Sequence, residues 1–264
     1  MKALGTVLIV GFAGLMPLVA SAAPKLQPHL GVYELRLIES RDDVGIEAVR
    51  GRLVIEITDS CDGYAQTQRI LLRILHTRGD EIISDSNQTT WESRDGMIIR
   101  FNSKNEINGT VSEIFSGRAQ LEGKGLAGVI KFVKPDDPDL PLAAGTIFPT
   151  EHFFDLIDAG QAGESVLRRR LYDGSGPRGI YDTIARLAPI APGGDAESHD
   201  LLRDVVSWQV RLAYFMPDDR AGVPEYEIGF RLFENGVATD LLLDYGEFSL
   251  VGTLARLDYL SGDC

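Results

Sequence analysis

Alternation with a period of two, broken at short intervals by turn dipeptides, is what most limits the folds open to this chain. In Val32-Tyr33-Glu34-Leu35-Arg36-Leu37 the residues Tyr33, Leu35 and Leu37 fall on one face. Leu53, Ile55 and Ile57 do the same, with Arg52, Glu56 and Thr58 opposite. Side chains of an extended strand point alternately to its two faces, so this spacing predicts half-buried strands. The stretch Gly51–Leu75 reads as two strands around an Asp62-Gly63 turn. Asp95-Gly96 joins Gln88–Arg94 to Met97–Ser103, and Asn235-Gly236 joins Glu225–Glu234 to Val237–Tyr245. Both dipeptides accept the positive φ values that tight hairpins require. Further strands are expected at Thr110–Phe115, Val166–Tyr172, Ile180–Ala188, Val205–Phe215 and Glu247–Leu257. Many short strands separated by turn signals argue for an antiparallel sheet, sandwich or barrel.

Two stretches depart from this pattern. Residues 135–141, Pro-Asp-Asp-Pro-Asp-Leu-Pro, form a turn or linker; the glycine and terminal glutamate of a calcium loop are missing. Thr150–Ala159 is the one clear helix. Thr150 is expected to cap it, Glu151 suits its first turn, and Gly160 is placed to close it. Phe153, Phe154, Leu156 and Ile157 make a broad apolar stripe at helical spacing. Phe153, Leu156 and Ile157 should face the sheet together, with Phe154 near the edge of that face. The stripe serves either as core or as the wall of an apolar cavity.

The first residues point to export. Lys2 precedes an apolar run from Ala3 to Met16, Pro17 breaks it, and Ala20-Ser21-Ala22 is a small-x-small cleavage pattern. Residues 1–22 therefore read as a cleaved signal peptide and 23–264 as one domain, large enough to bury a full core. No later stretch is apolar and long enough to span a bilayer as a helix. The formal net charge of −13 disfavours nucleic acid and anionic lipid surfaces as partners, because association would begin with repulsion. There are two cysteines, Cys61 and Cys264. In an exported chain such a pair reads as a disulfide, since metal clusters need more ligands. The loop it would close holds about 200 residues, for which the chain-entropy relation gives roughly 5 kcal/mol.

Catalytic motifs were sought without success. The four histidines, His29, His76, His152 and His199, have no paired-ligand spacing. Neither a G-x-S-x-G elbow nor a phosphate or dinucleotide fingerprint occurs, so no cofactor or metal is expected. Asp173-Gly174-Ser175-Gly176 is accounted for by turn chemistry. Carboxylates are abundant, but no spacing singles out a glycosidase pair.

Several motifs, in one order, carry a resemblance. They are His29-x-x-x-Tyr33-x-Leu35-x-Leu37, Gly51-Arg52-Leu53 and Cys61-Asp62-Gly63-Tyr64, then Phe148-Pro149-Thr150-x-His152 and Tyr172-Asp173-Gly174-Ser175. Tyr181-Asp182-Thr183, Asn235-Gly236, Leu243-Asp244-Tyr245 and the terminal Cys264 complete the set. Together they resemble the EipB family of periplasmic cell-envelope integrity proteins of Gram-negative bacteria. The resemblance implies an all-β fold, a broken antiparallel β-barrel or β-spiral, with a helix at its cavity and a disulfide between Cys61 and Cys264. That architecture is similar to periplasmic lipoprotein carriers and sigma-regulatory sensors, which hold acyl groups in incompletely closed barrels. It implies a non-catalytic periplasmic role in envelope integrity, with a lipid, acyl or peptide ligand and another envelope protein as partners. The competing expectation is an envelope hydrolase whose carboxylates converge only in three dimensions.

Overall fold

A computed structural model describes residues 25–191, 199–217 and 220–262. The expected signal peptide, Cys264 and residues 192–198 of the loop before Asp200 lie outside them. The first half of the chain is a meander of β1 (His29–Ser40), β2 (Ile46–Asp59), β3 (Gly63–His76), β4 (Glu81–Ser93), β5 (Ile98–Ile107), β6 (Thr110–Leu121), β7 (Gly128–Lys134) and β8 (Leu140–Leu142). A two-residue β9 (Thr146–Ile147) leads into helix α1 (Pro149–Gln161). The second half runs through β10 (Val166–Tyr172), β11 (Ile180–Ile190), β12 (Ser207–Phe215), β13 (Tyr226–Phe233), β14 (Ala238–Asp244) and β15 (Phe248–Tyr259).

All fifteen described strands belong to one sheet, in the order β8-β7-β6-β5-β4-β3-β2-β1-β15-β14-β13-β12-β11-β10-β9. Its two edges, β8 and β9, are separated by residues 143–145 alone. Three residues and their links reach at most roughly 14 Å. The sheet must therefore curl until its edges nearly meet, and the result is a nearly closed barrel. The fold is thus mostly β with one helix, as the alternation requires. Within residues 135–141, positions 135–139 form the turn of a hairpin and not a linker, and Leu140 and Pro141 already begin β8. β8 pairs back on β7, Leu140 opposite Ile130 and Leu142 opposite Gly128, so the prolines and aspartates bend one hairpin.

The turn at Cys61 differs from its expected form. Cys61 itself takes the left-handed conformation, with φ of 63°, while Gly63 already begins β3. Gly63 is needed for close approach: a Cβ there would stand 2.1 Å from the Glu92 carbonyl on β4. Asn108-Gly109 is itself a two-residue hairpin, both residues at positive φ, between Ile107 and Thr110.

Apolar residues gather in two main cores. The larger lies inside the barrel and contains Tyr33, Leu53, Leu72, Val210, Leu232 and Leu250, with Leu156 and Ile157 of α1. The second is wrapped by β5–β8 and contains Ile99, Phe101, Ala119, Ile130, Phe132 and Leu142, closed by Phe148 and Tyr172.

Candidate functional site

Helix α1 plugs the barrel. Its N-cap, Phe148, is extended and offers no side-chain cap, and Pro149 fills the first position. The expected Thr150 cap is replaced by Glu92 of β4, whose two carboxylate oxygens each accept from the Thr150 N–H at 3.0 Å. The helix also runs past Gly160. That glycine is required because the Trp208 indole lies where a Cβ would stand, 2.5 Å away, and Gly163 takes the left-handed position instead. The partners of α1 come from widely separated strands. Phe153 meets Phe230 of β13 at 6.4 Å between ring centroids, while Phe154 packs edge-on against Tyr64 of β3 at 5.7 Å. Asp155 is ion-paired with Arg169 of β10 at 2.5 Å, and His152 lies 3.5 Å from the Thr183 hydroxyl of β11.

Beside the helix is a hollow of about 480 Å³. Phe153 and Leu156 border it; Phe154 and Ile157 do not. The apolar stripe is thus split between the hollow and the opposite wall, because a helix inside a barrel is surrounded instead of lying on one sheet face. Aliphatic side chains of β2, β3, β12, β13 and β14 line most of the hollow, among them Leu53, Ile55, Ile70, Leu212, Ile228 and Leu241. No wall residue comes from β5 to β9. His29 and His152 also border it, and burial lowers the pKa of both, His152 to about 4, so both imidazoles are neutral.

One part of the wall is polar. Gln66, Gln68, Ser86, Gln88 and Thr90 contribute to it from β3 and β4, and Asp173 and Ser175 from the β10–β11 turn. The Asp173 carbonyl accepts from Gln88 at 2.8 Å, and its Oδ1 accepts from the Ser175 N–H at 2.8 Å. Burial pushes the Asp173 carboxyl up to about 6, outweighing these hydrogen bonds. Beside it stand Tyr181, Tyr214, Tyr226 and Tyr245. Tyr214 and Tyr226 stack at 4.3 Å, and Tyr181 meets both edge-on at 5.5 and 5.6 Å. Burial raises all four hydroxyls, Tyr181 to about 12, and the Asp173 charge adds to the shift in Tyr181, Tyr214 and Tyr226. A second hollow of about 260 Å³ shares Ser175 and Tyr181 with the first.

The tyrosine cluster and Asp173 were not anticipated as a site. A signal was present: three of the motif fragments, Tyr172-Asp173-Gly174-Ser175, Tyr181-Asp182-Thr183 and Leu243-Asp244-Tyr245, meet here. Among the described residues no group of three or more His, Cys, Asp or Glu side chains could hold a metal ion, and no helix is long and apolar enough to cross a membrane.

Cys61 lies apart from the hollow, beyond the end of β2. Arg94 clamps its turn, donating from Nε to the Cys61 carbonyl at 2.8 Å and ion-pairing with buried Asp59. Asp59 Oδ1 in turn accepts from the Cys61 N–H at 3.1 Å. No described cysteine is free. β1 runs between β2 and β15, its His29 facing Ile57 on one side and Tyr259 on the other. The Cys61 turn and the chain end after Tyr259 therefore leave the same rim, two strand spacings apart.

The sequence was matched over residues 20–261 by the family model described as EipB-like. The chain belongs to the EipB-like family. It is 34% identical over 256 residues to the cell envelope integrity protein EipB of Brucella abortus (strain 2308), covering 94% of this chain and 89% of that protein. It is also similar to a crystal structure of a beta-barrel-like protein, of a domain of unknown function, from Brucella abortus. That match has a TM-score of 0.83 at 31% identity and covers 90% of this chain and all of the other. The barrel is thus common to this EipB-like chain and a solved relative.

Proposed function

We propose that this EipB-like protein is a non-catalytic periplasmic protein that supports cell-envelope integrity by holding an apolar chain, a lipid or acyl group, in the hollow beside α1. The observation that carries the reading is the hollow itself. Its 480 Å³ lies within the 300–1,000 Å³ typical of small-ligand sites, and its wall is mainly aliphatic and aromatic with a few polar groups gathered together. The relative's role in envelope integrity supports the setting. Export through the N-terminal segment and a Cys61–Cys264 disulfide belong to the same proposal. Four residues lie between Tyr259 and Cys264, five links that reach up to roughly 17 Å, against about 10 Å for two strand spacings.

A hydrolase is the less favoured reading. The two carboxyls with the most raised pKa values are Glu92, pushed up to about 7, and Asp173. Glu92 holds the start of α1 and does not border the hollow. Native mass spectrometry of protein taken from the periplasm, followed by lipid extraction, tests the proposal. An acyl species released on unfolding is expected. Ligand-free protein that also fails to take up a fluorescent acyl probe would overturn it.

A further inference from the structure

The charges around the hollow are one-sided. Asp173 and Glu227 border it, and among the described residues no lysine or arginine does. His29 and His152 supply no positive charge because burial keeps them neutral. Arg178, whose charge reaches Tyr181, borders the smaller hollow in company with Glu113 and Glu225. Asp173 donates its N–H to the Gly179 carbonyl and accepts from Gln88 at its own carbonyl, while its carboxylate accepts from Ser175 and borders the hollow. Tyr181, Tyr214 and Tyr226 surround the same spot closely enough for the Asp173 charge to act on their hydroxyls.

A carboxylate beside several aromatic rings is the environment that ammonium groups select, by ion pairing and by attraction to the ring faces. An anionic head at the same place would lose its hydration and meet the like charge of Asp173. We infer that the larger hollow takes an apolar chain ending in an ammonium group, seated between Asp173 and the tyrosines, and rejects chains that end in carboxylate or phosphate. The inference rests on the acyl-binding reading above and adds the chemistry of the ligand's head. Gln88 fixes the backbone of Asp173, and the Ser175 N–H fixes its carboxylate, so the charge is presented in one orientation.

Twelve-carbon chains that differ only at the head group test it. Dodecylamine, dodecanol and dodecanoate, each below its micelle concentration near neutral pH, would compete with a neutral fluorescent acyl probe on the mature protein. The amine is expected to displace the probe about tenfold better than the alcohol, and the alcohol better than the acid. Asp173→Asn keeps an oxygen for the Ser175 N–H and should bring the amine down to the level of the alcohol. An acid that binds as well as the amine overturns the inference and leaves the acyl-binding reading standing. So does an amine preference that survives D173N, because general attraction to an acidic protein would then explain it. If none of the three competes and the probe itself does not bind, both readings fall. The wild-type series needs no variant, so a D173N chain that misfolds does not remove the test.

Discussion

The two main cores of this barrel are built from the same kinds of residue and differ in what they enclose. The core wrapped by β5–β8 is solid: Ile99, Ala119, Ile130, Phe148 and Tyr172 are fully buried, and Phe101 meets Phe132 and Tyr172 edge-on at 5.9 and 5.6 Å. The core inside β1–β4 and β10–β14 keeps a 480 Å³ hollow even with a helix inserted. A ring of few strands can close on its own side chains. A wider ring cannot, and it admits a plug that fills only part of the space. The one half is held by close packing, while the other leaves room beside its plug for the ligand proposed above.

The largest expected effect tests whether the hollow half depends on a covalent tie. Cys61→Ser should lower stability by up to about 5 kcal/mol, read as a drop of several degrees or more in thermal unfolding under non-reducing conditions. An unchanged Tm would mean that the rim is held by the Arg94–Asp59 clamp alone. Next is Phe101→Ala in the solid core, expected to cost roughly 3–5 kcal/mol because tightly packed neighbours relax little into a new void. Phe153→Ala should cost less than half as much, since that ring already borders empty space. Equal losses at the two positions would erase the distinction between the cores.

The third prediction concerns Glu92, on β4, which anchors the plug. Its carboxyl is pushed up to about 7, mainly by burial, from 4.5 in the unfolded chain. Between those values the folded protein retains a proton that the unfolded chain releases. Stability is thus highest below about pH 4.5 and falls as pH rises through 7, by roughly 3 kcal/mol from this group. His152 acts in the opposite sense. Held down to about 4 by burial, it contributes stability that is present above pH 6.5 and lost as pH falls through 4. Glu92→Gln keeps an acceptor for the Thr150 N–H, so its Tm relative to wild type should improve from pH 5 to pH 8. A constant difference would show that Glu92 ionises freely. Phe153→Asp should cost somewhat more stability than Phe153→Ala, because it also sets a charge against the hollow, and should abolish binding of a fluorescent acyl probe. Phe154→Asp, against Tyr64 on the other wall, should destabilise more and leave any folded fraction competent to bind. The reverse order would move the site to the Tyr64 side.

Most of the barrel was legible in the sequence because strand alternation and turn dipeptides are local. Val166–Tyr172 matches β10, and the Asn235-Gly236 hairpin lies between β13 and β14. β8 and β9 were not legible, since three and two residues are too few to show a period. The helix was legible but its caps were not: Glu92 and Trp208, which decide how α1 begins and why Gly160 is there, are distant in sequence. The hollow could not be read either. Leu212 beside it and Ile130 in the solid core are both inward-facing aliphatics, and only the girth of the ring decides which of them meets a void. Asp173 looked like a turn residue and is one; the tyrosines that border the same hollow are brought in by β11, β12 and β13.

The order of strands also bears on how the chain reaches this state. Almost every ladder joins strands adjacent in the sequence, so two meanders can assemble from local contacts. The exception is β1 with β15, which brings opposite ends of the chain together in the middle of the sheet. Non-local closure is what slows β proteins, because the entropy of closing the loop is lost before any contact repays it. In this topology that cost falls on a single ladder, with the Cys61 turn and the end of the chain at its rim, so the step that completes the barrel is also the step that a bond between the two cysteines would hold in place.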